Sequence, residues 1–112
     1  MARNNNLLTN NLTKISNACV LTKQEKVAKT SRRLRSLKKE KESVKAALIE
    51  AERFAACNDV SIDAVRIFVE VNLKKLELLE HSIAAVAQTM RVEIAELEKA
   101  IRKDLILKEL ET

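Results

Sequence analysis

The 112 residues suffice for one small domain, and they include no Gly, Pro, Trp or Tyr and only two Phe, Phe54 and Phe68. That composition excludes glycine-rich phosphate loops, most tight turns and an aromatic globular core. A third of the residues are charged, with a formal net charge of +5, and Ala, Leu, Lys, Glu and Arg prevail, the mix of long helices and coiled coils.

The charge is unevenly placed. Residues 1–45 hold twelve Lys/Arg against three Asp/Glu, and residues 46–112 hold nine against thirteen. A basic half and an acidic half are expected to pair side by side, with surplus positive charge for an acidic partner. No run free of Lys, Arg, Asp and Glu exceeds ten residues (4–13 and 81–90), too short for a membrane span. No apolar signal-peptide core follows the N-terminus, so the expectation is a cytoplasmic protein, at most peripheral to a membrane, with Cys19 and Cys57 reduced.

In chain order, residues 1–21 form a short amphipathic helical segment. Leu8, Leu12, Ile15 and Cys19 are spaced 4, 3, 4 on one face. Thr22 with Glu25 three residues later reads as a capping box, which predicts a helix start near Thr22. The hairpin proper then covers 22–112: arm one 22–57, a turn at 58–61 and arm two 62–111. Arm one carries a seam of Val27, Leu34, Leu37, Val44, Leu48, Ala51 and Ala55. From Leu34 the spacing alternates 3 and 4, with Lys41 on the seam, a heptad pattern. The turn rests on Asn58, Asp59 and Ser61, all N-cap formers; the alternative is one continuous rod that pairs with another chain. Arm two carries Ile83, Val86, Met90, Ile94, Leu97, Ile101 and Leu105, an eleven-residue rhythm. The predicted fold class is all-α: an elongated, coiled-coil-like antiparallel helical hairpin with a short N-terminal helical segment.

Chemistry-bearing patterns are few. His81 has no second His or Cys at ligand spacing. The carboxylates have the spacing of a solvated helix face, whereas acid–base catalysis needs a desolvated pair. The expectation is no enzyme, no cofactor, no metal and no small-molecule substrate. Two groups of residues point to binding instead. The first is ten cations within 23 positions: Lys23, Lys26, Lys29, Arg32, Arg33, Arg35, Lys38, Lys39, Lys41 and Lys45. Pairing with acidic residues of arm two is the plainer reading. An anionic surface is the functional one, a phospholipid membrane ahead of nucleic acid, because residues 23–45 hold no aromatic side chain for base stacking. The second group, Ile62, Val65, Ile67, Phe68, Val69, Val71, Leu76 and Leu79, covers more than one helix face, along with Leu73 and Leu78. A helix apolar over so much of its circumference needs more than one neighbour: the N-terminal segment folded over it or, the favoured expectation, another subunit across an interface.

The stretch Arg66-Ile67-Phe68-Val69-Glu70, followed by Leu73-Lys74-Lys75, resembles the start of the second core helix in the ESCRT-III family, its CHMP-type branch included. The order of features over about 22–105 is similar too: a basic first helix, a short turn, a long second helix. The resemblance implies a hairpin that self-assembles side by side and holds acidic membranes through Lys23 to Lys45. The family's later helices and C-terminal motif are not among these residues. By shape alone, the chain is also similar to the small stalk proteins (FliJ/YscO-like) of type III export ATPases. The functional expectation is a self-assembling membrane-remodelling subunit. The alternatives are a protein-interaction rod, such as an export-ATPase stalk or a secretion chaperone that binds another helical protein, and a basic nucleic-acid-associated dimer.

Overall fold

The structure is a computed structural model, which describes the backbone of residues 2–57 and 62–111 and the side chains of 8, 10–56 and 62–110. The described residues form two helices, α1 (Ala2–Cys57) and α2 (Ile62–Glu111), with no strand among them. The chain is thus all-helical, two long helices paired as a hairpin. The expected turn at 58–61 lies outside the described residues. Helix-forming side chains sustain both elements without a Gly or Pro to interrupt them. Asp63 in the first turn of α2 and Lys108 in its last oppose the partial charges of the helix ends.

The chain divides into two compact units: unit 1, Met1–Ser31 with Gln88–Thr112, and unit 2, Arg32–Ala87. In each, a stretch of α1 lies antiparallel to a stretch of α2. In unit 1, Lys23 reaches Glu96 and Thr30 reaches Glu93, so one helix ascends as the other descends. In unit 2, Lys41 meets Glu80, while Ala47 to Phe54 share a groove with Ala64 to Phe68.

Burial marks a narrow seam in each unit. In unit 2 it comprises Leu34, Leu37, Lys41, Val44, Leu48 and Ala51 of α1 with Val65, Val69, Asn72, Leu76, Leu79, Ile83 and Val86 of α2. In unit 1 it comprises Thr13, Ser16, Val20, Lys23, Val27 and Thr30 with Met90, Glu93, Leu97, Ala100, Asp104 and Leu107. The spacing alternates 3 and 4 along each helix, the repeat that keeps one stripe facing a partner. Val44, Leu79, Val86 and Ala100 are its most enclosed apolar side chains.

Four expectations require correction. Thr22 starts no helix: α1 runs through it, and its Oγ1 donates to the Ala18 carbonyl, 2.9 Å away in the preceding turn. Residues 2–21 are helical, but as the first part of α1 rather than a helix of their own. Their apolar row Leu8, Leu12, Ile15 and Cys19 is exposed, while Thr13, Ser16 and Val20 turn inward. An unbroken helix carries its phase along its length. The heptad rhythm of Val27–Ala51, continued backwards, falls on those polar positions.

The eleven-residue rhythm in α2 also fails. Ile83, Val86, Met90 and Leu97 lie on the seam, but Ile94, Ile101 and Leu105 are exposed and Glu93, Ala100 and Asp104 take the inner places. A row with 3.67 residues per turn drifts away from a 3.5-residue seam. Ala55 of the expected α1 seam is likewise exposed.

Candidate interaction surfaces

Unit 1 reverses the usual distribution of polarity. Half of its seam positions are polar: Thr13, Ser16, Lys23, Thr30, Glu93 and Asp104. Thr30 Oγ1 lies 2.7 and 2.9 Å from the two carboxylate oxygens of Glu93 and donates to them. Lys23 reaches Glu96 at 3.6 Å from the edge of the seam, its stem covering apolar surface. Asp104 is buried. One of its oxygens accepts from Lys108 at 2.9 Å; the other, Oδ1, has no hydrogen-bond partner among the described residues. Such a seam gains little from burial, because desolvating polar groups offsets most of what their hydrogen bonds return. Meanwhile Leu8, Leu12, Ile15, Leu21, Ile94, Leu105, Ile106 and Leu110 stand exposed. A concavity of about 370 Å³ opens beside the seam, with Leu12, Ile15 and Cys19 on one wall and Lys99, Lys103 and Leu107 on the other.

Unit 2 is more conventional inside. Its seam is apolar apart from Lys41 and Asn72. Lys41 extends to Glu80 at 3.7 Å, and Asn72 Nδ2 donates to the Phe68 carbonyl at 2.8 Å within its own helix. The expected subunit-interface residues split by role. Val65, Val69, Leu76 and Leu79 turn to the partner helix, whereas Ile62, Ile67, Phe68 and Val71 remain exposed, as do Leu73 and Leu78. Toward the 58–61 end, Phe54 and Phe68 flank an apolar groove of about 410 Å³ floored by Ala47, Ala51, Ala64 and Val65. The small alanines leave this groove open. The sequence alone did not mark the part played by Phe54.

The ten cations fall in both units. Lys23, Lys26 and Lys29 belong to unit 1, and Arg32, Arg33, Arg35, Lys38, Lys39, Lys41 and Lys45 to unit 2. Two of them pair across the helices, Lys23 with Glu96 and Lys41 with Glu80; Lys45 pairs within α1, with Glu42 at 3.8 Å. Among the described residues, the other seven are exposed and make no ion pair. The third cross-helix pair, Lys75 with Glu40 at 3.9 Å, draws its cation from α2. In unit 2, Arg35, Lys38 and Lys39 border a shallow depression with Glu42, Ser43 and Ala46 on the outer face of α1. Neutralisation by the acidic arm therefore accounts for a minority of this charge.

Metal-binding geometry does not arise among the described residues: no three His, Cys, Asp or Glu side chains cluster. His81 is exposed, 4.0 Å from Glu77 on the same helix. Among the described residues no helix is long and apolar enough to cross a membrane. No protein-family model, curated protein or solved structure matches this chain.

Proposed function

We propose that the protein is a non-enzymatic, self-assembling helical hairpin of the cytoplasm that attaches to anionic membrane surfaces through the outer face of α1. The observation that carries this reading is the set of exposed, unpaired cations Arg32, Arg33, Arg35, Lys38 and Lys39 in unit 2. Headgroup attraction contributes about 1 kcal/mol per cation near an anionic leaflet and is screened by salt. The resemblance of residues 64–75 to the ESCRT-III family supports the same reading. Exposed Ile62, Ile67, Phe68 and Val71 supply apolar surface for association between copies or with another helical protein.

Flotation with phosphatidylserine-containing vesicles tests it. The full chain should float at low salt and lose binding as salt rises. Reversing Arg32, Arg33, Lys38 and Lys39 to Glu should weaken binding at least about a hundredfold, given four such contributions. A chain that stays at the bottom of the gradient, or a charge-reversed variant that floats equally well, overturns the proposal. Duplex binding with a steep salt dependence would favour nucleic acid instead.

The apolar groove between Phe54 and Phe68 favours a second reading, a protein-interaction rod such as an export-ATPase stalk or secretion chaperone. Its Ala-lined floor fits an apolar helix laid alongside. That reading predicts co-purification with an ATPase or an export substrate, abolished by Phe54→Asp.

A further inference from the structure

We infer that the concavity of unit 1, between residues 12–23 of α1 and 96–107 of α2, is a docking groove for a helix of another protein, one with an apolar face and an acidic flank. The inference stands apart from the membrane reading, which draws on the cations of unit 2.

The groove has the shape for a helix. It runs along the line where two antiparallel helices meet. Its floor includes the small side chains Ser16 and Ala100, which admit a third backbone more closely than Leu or Ile would. The flank continues beyond the concavity at heptad intervals. Leu8 precedes Ile15 by seven positions, Lys26 follows Cys19 by seven, and Lys29 follows Ile15 by fourteen. On α2, Val92 and Ile106 lie seven positions either side of Lys99, and Leu110 lies seven beyond Lys103. From residue 8 to 29 the flank extends about 30 Å, room for a helix of roughly five turns and about 10 Å diameter. A trough of this form suits a rod better than the broad surface of a bilayer.

Charge selects the occupant. The one carboxylate that lines the groove, Glu96, is engaged by Lys23 at 3.6 Å. Lys99 and Lys103 are exposed and make no ion pair among the described residues, and the same holds for Lys26 and Lys29. This flank therefore offers four free cations and no free carboxylate among its lining residues. The opposite flank of α2 is mixed, with Arg91, Glu98 and Lys108 in turn, and Lys108 is held by Asp104. A basic helix laid in the groove meets like charge, and a neutral one strips water from lysines it cannot pair with. Glutamates at the same places pair with them.

Apolar contact supplies the remaining attraction. Leu12, Ile15 and Cys19 form one wall. The antiparallel offset set by Lys23 and Glu96 puts Ile106 and Leu110 across from Leu12 and Ile15, and all four are exposed. The occupant thus sets apolar side chains at that end and carboxylates from Lys103 toward Lys29. Contact on this scale belongs with weak, exchanging complexes.

The probe is a fluorescein-labelled helical peptide of about 18 residues, with Leu along one face and Glu on both flanks. A second peptide replaces every Glu by Lys. Fluorescence anisotropy with the full chain should give a Kd on the order of 10 µM for the acidic peptide and binding at least about tenfold weaker for the lysine peptide. Lys99→Glu/Lys103→Glu should weaken the acidic peptide at least about tenfold and tighten the lysine peptide, with helicity unchanged because both positions are exposed. Ile15→Asp should weaken the acidic peptide by about tenfold. Reversing Arg32, Arg33, Lys38 and Lys39 to Glu should leave its binding within about threefold. Absence of binding into the hundreds of micromolar, equal binding of the two peptides, or a loss that follows the Arg32 set rather than Lys99 and Lys103 refutes the groove. If Lys99→Glu/Lys103→Glu instead abolishes flotation with phosphatidylserine vesicles and spares the peptide, the face is a membrane surface and the inference fails while the membrane reading stands.

Discussion

Asp104 holds a seam position in α2 at 7% exposure, with one oxygen on Lys108 and the other without a partner among the described residues. A carboxylate taken out of water for one ion pair is a net cost when an apolar side chain fits the same place. Asp104→Leu is expected to stabilise the chain by about 1 kcal/mol, seen as a rise of roughly 4 °C in thermal midpoint. A fall in midpoint would mean that the carboxylate is better satisfied than its contacts here indicate. Val44 is the opposite case, an apolar side chain at 4% exposure. Val44→Ala removes two buried carbons and leaves a small cavity, costing about 2 kcal/mol in denaturant unfolding. Ile49→Ala, on an exposed neighbour, should change stability by less than about 0.5 kcal/mol. Equal effects at the two sites would place the seam elsewhere.

At the scale of the helix, the existence of both elements was legible from composition, because nothing in the chain opposes helix and nearly every residue favours it. The seam from Val27 to Ala51 was legible too, since its Leu and Val fall on the heptad positions. What escaped was the seam wherever polar residues occupy it. Glu93 and Asp104 in α2, and Thr13 and Ser16 in α1, are not apolar, so a hydrophobic pattern drawn past them selects the neighbouring rows Ile94, Ile101 and Leu105, or Leu12 and Ile15. Continuing the 3,4 alternation through the polar positions would have found it. The capping box at Thr22 misled for a related reason. A local signal loses to a helix that continues on both sides, and the hydroxyl finds the carbonyl one turn back instead. The apolar surplus at 62–79 exceeds one helix face, and six of its ten residues stay outward. Phe68, 43% exposed, is one of the six. Phe68→Asp should leave helicity intact and stability within about 1 kcal/mol, checked by circular dichroism and urea unfolding. A variant that unfolds outright would make Phe68 a core residue.

For the molecule, function follows from which side chains the pairing consumes and which it leaves outside. Unit 2 pairs through a largely apolar seam and presents unpaired cations together with Ile62, Ile67, Phe68 and Val71; unit 1 pairs through a half-polar seam and presents an apolar row. The cations suit an anionic surface, and the exposed apolar side chains of both units suit association. The polar seam of unit 1 rests on the inner position of Thr30 and Glu93. The most direct test is site-specific crosslinking in a Cys19→Ser/Cys57→Ser background. Thr30→Cys with Glu93→Cys should form an intramolecular crosslink rapidly and nearly completely, because the native side chains are in hydrogen-bond contact at 2.7 Å. Thr30→Cys with Ile94→Cys should form little. Efficient crosslinking of the Ile94 pair and failure of the Glu93 pair would contradict the account, returning the isoleucines to the seam and the carboxylate to solvent.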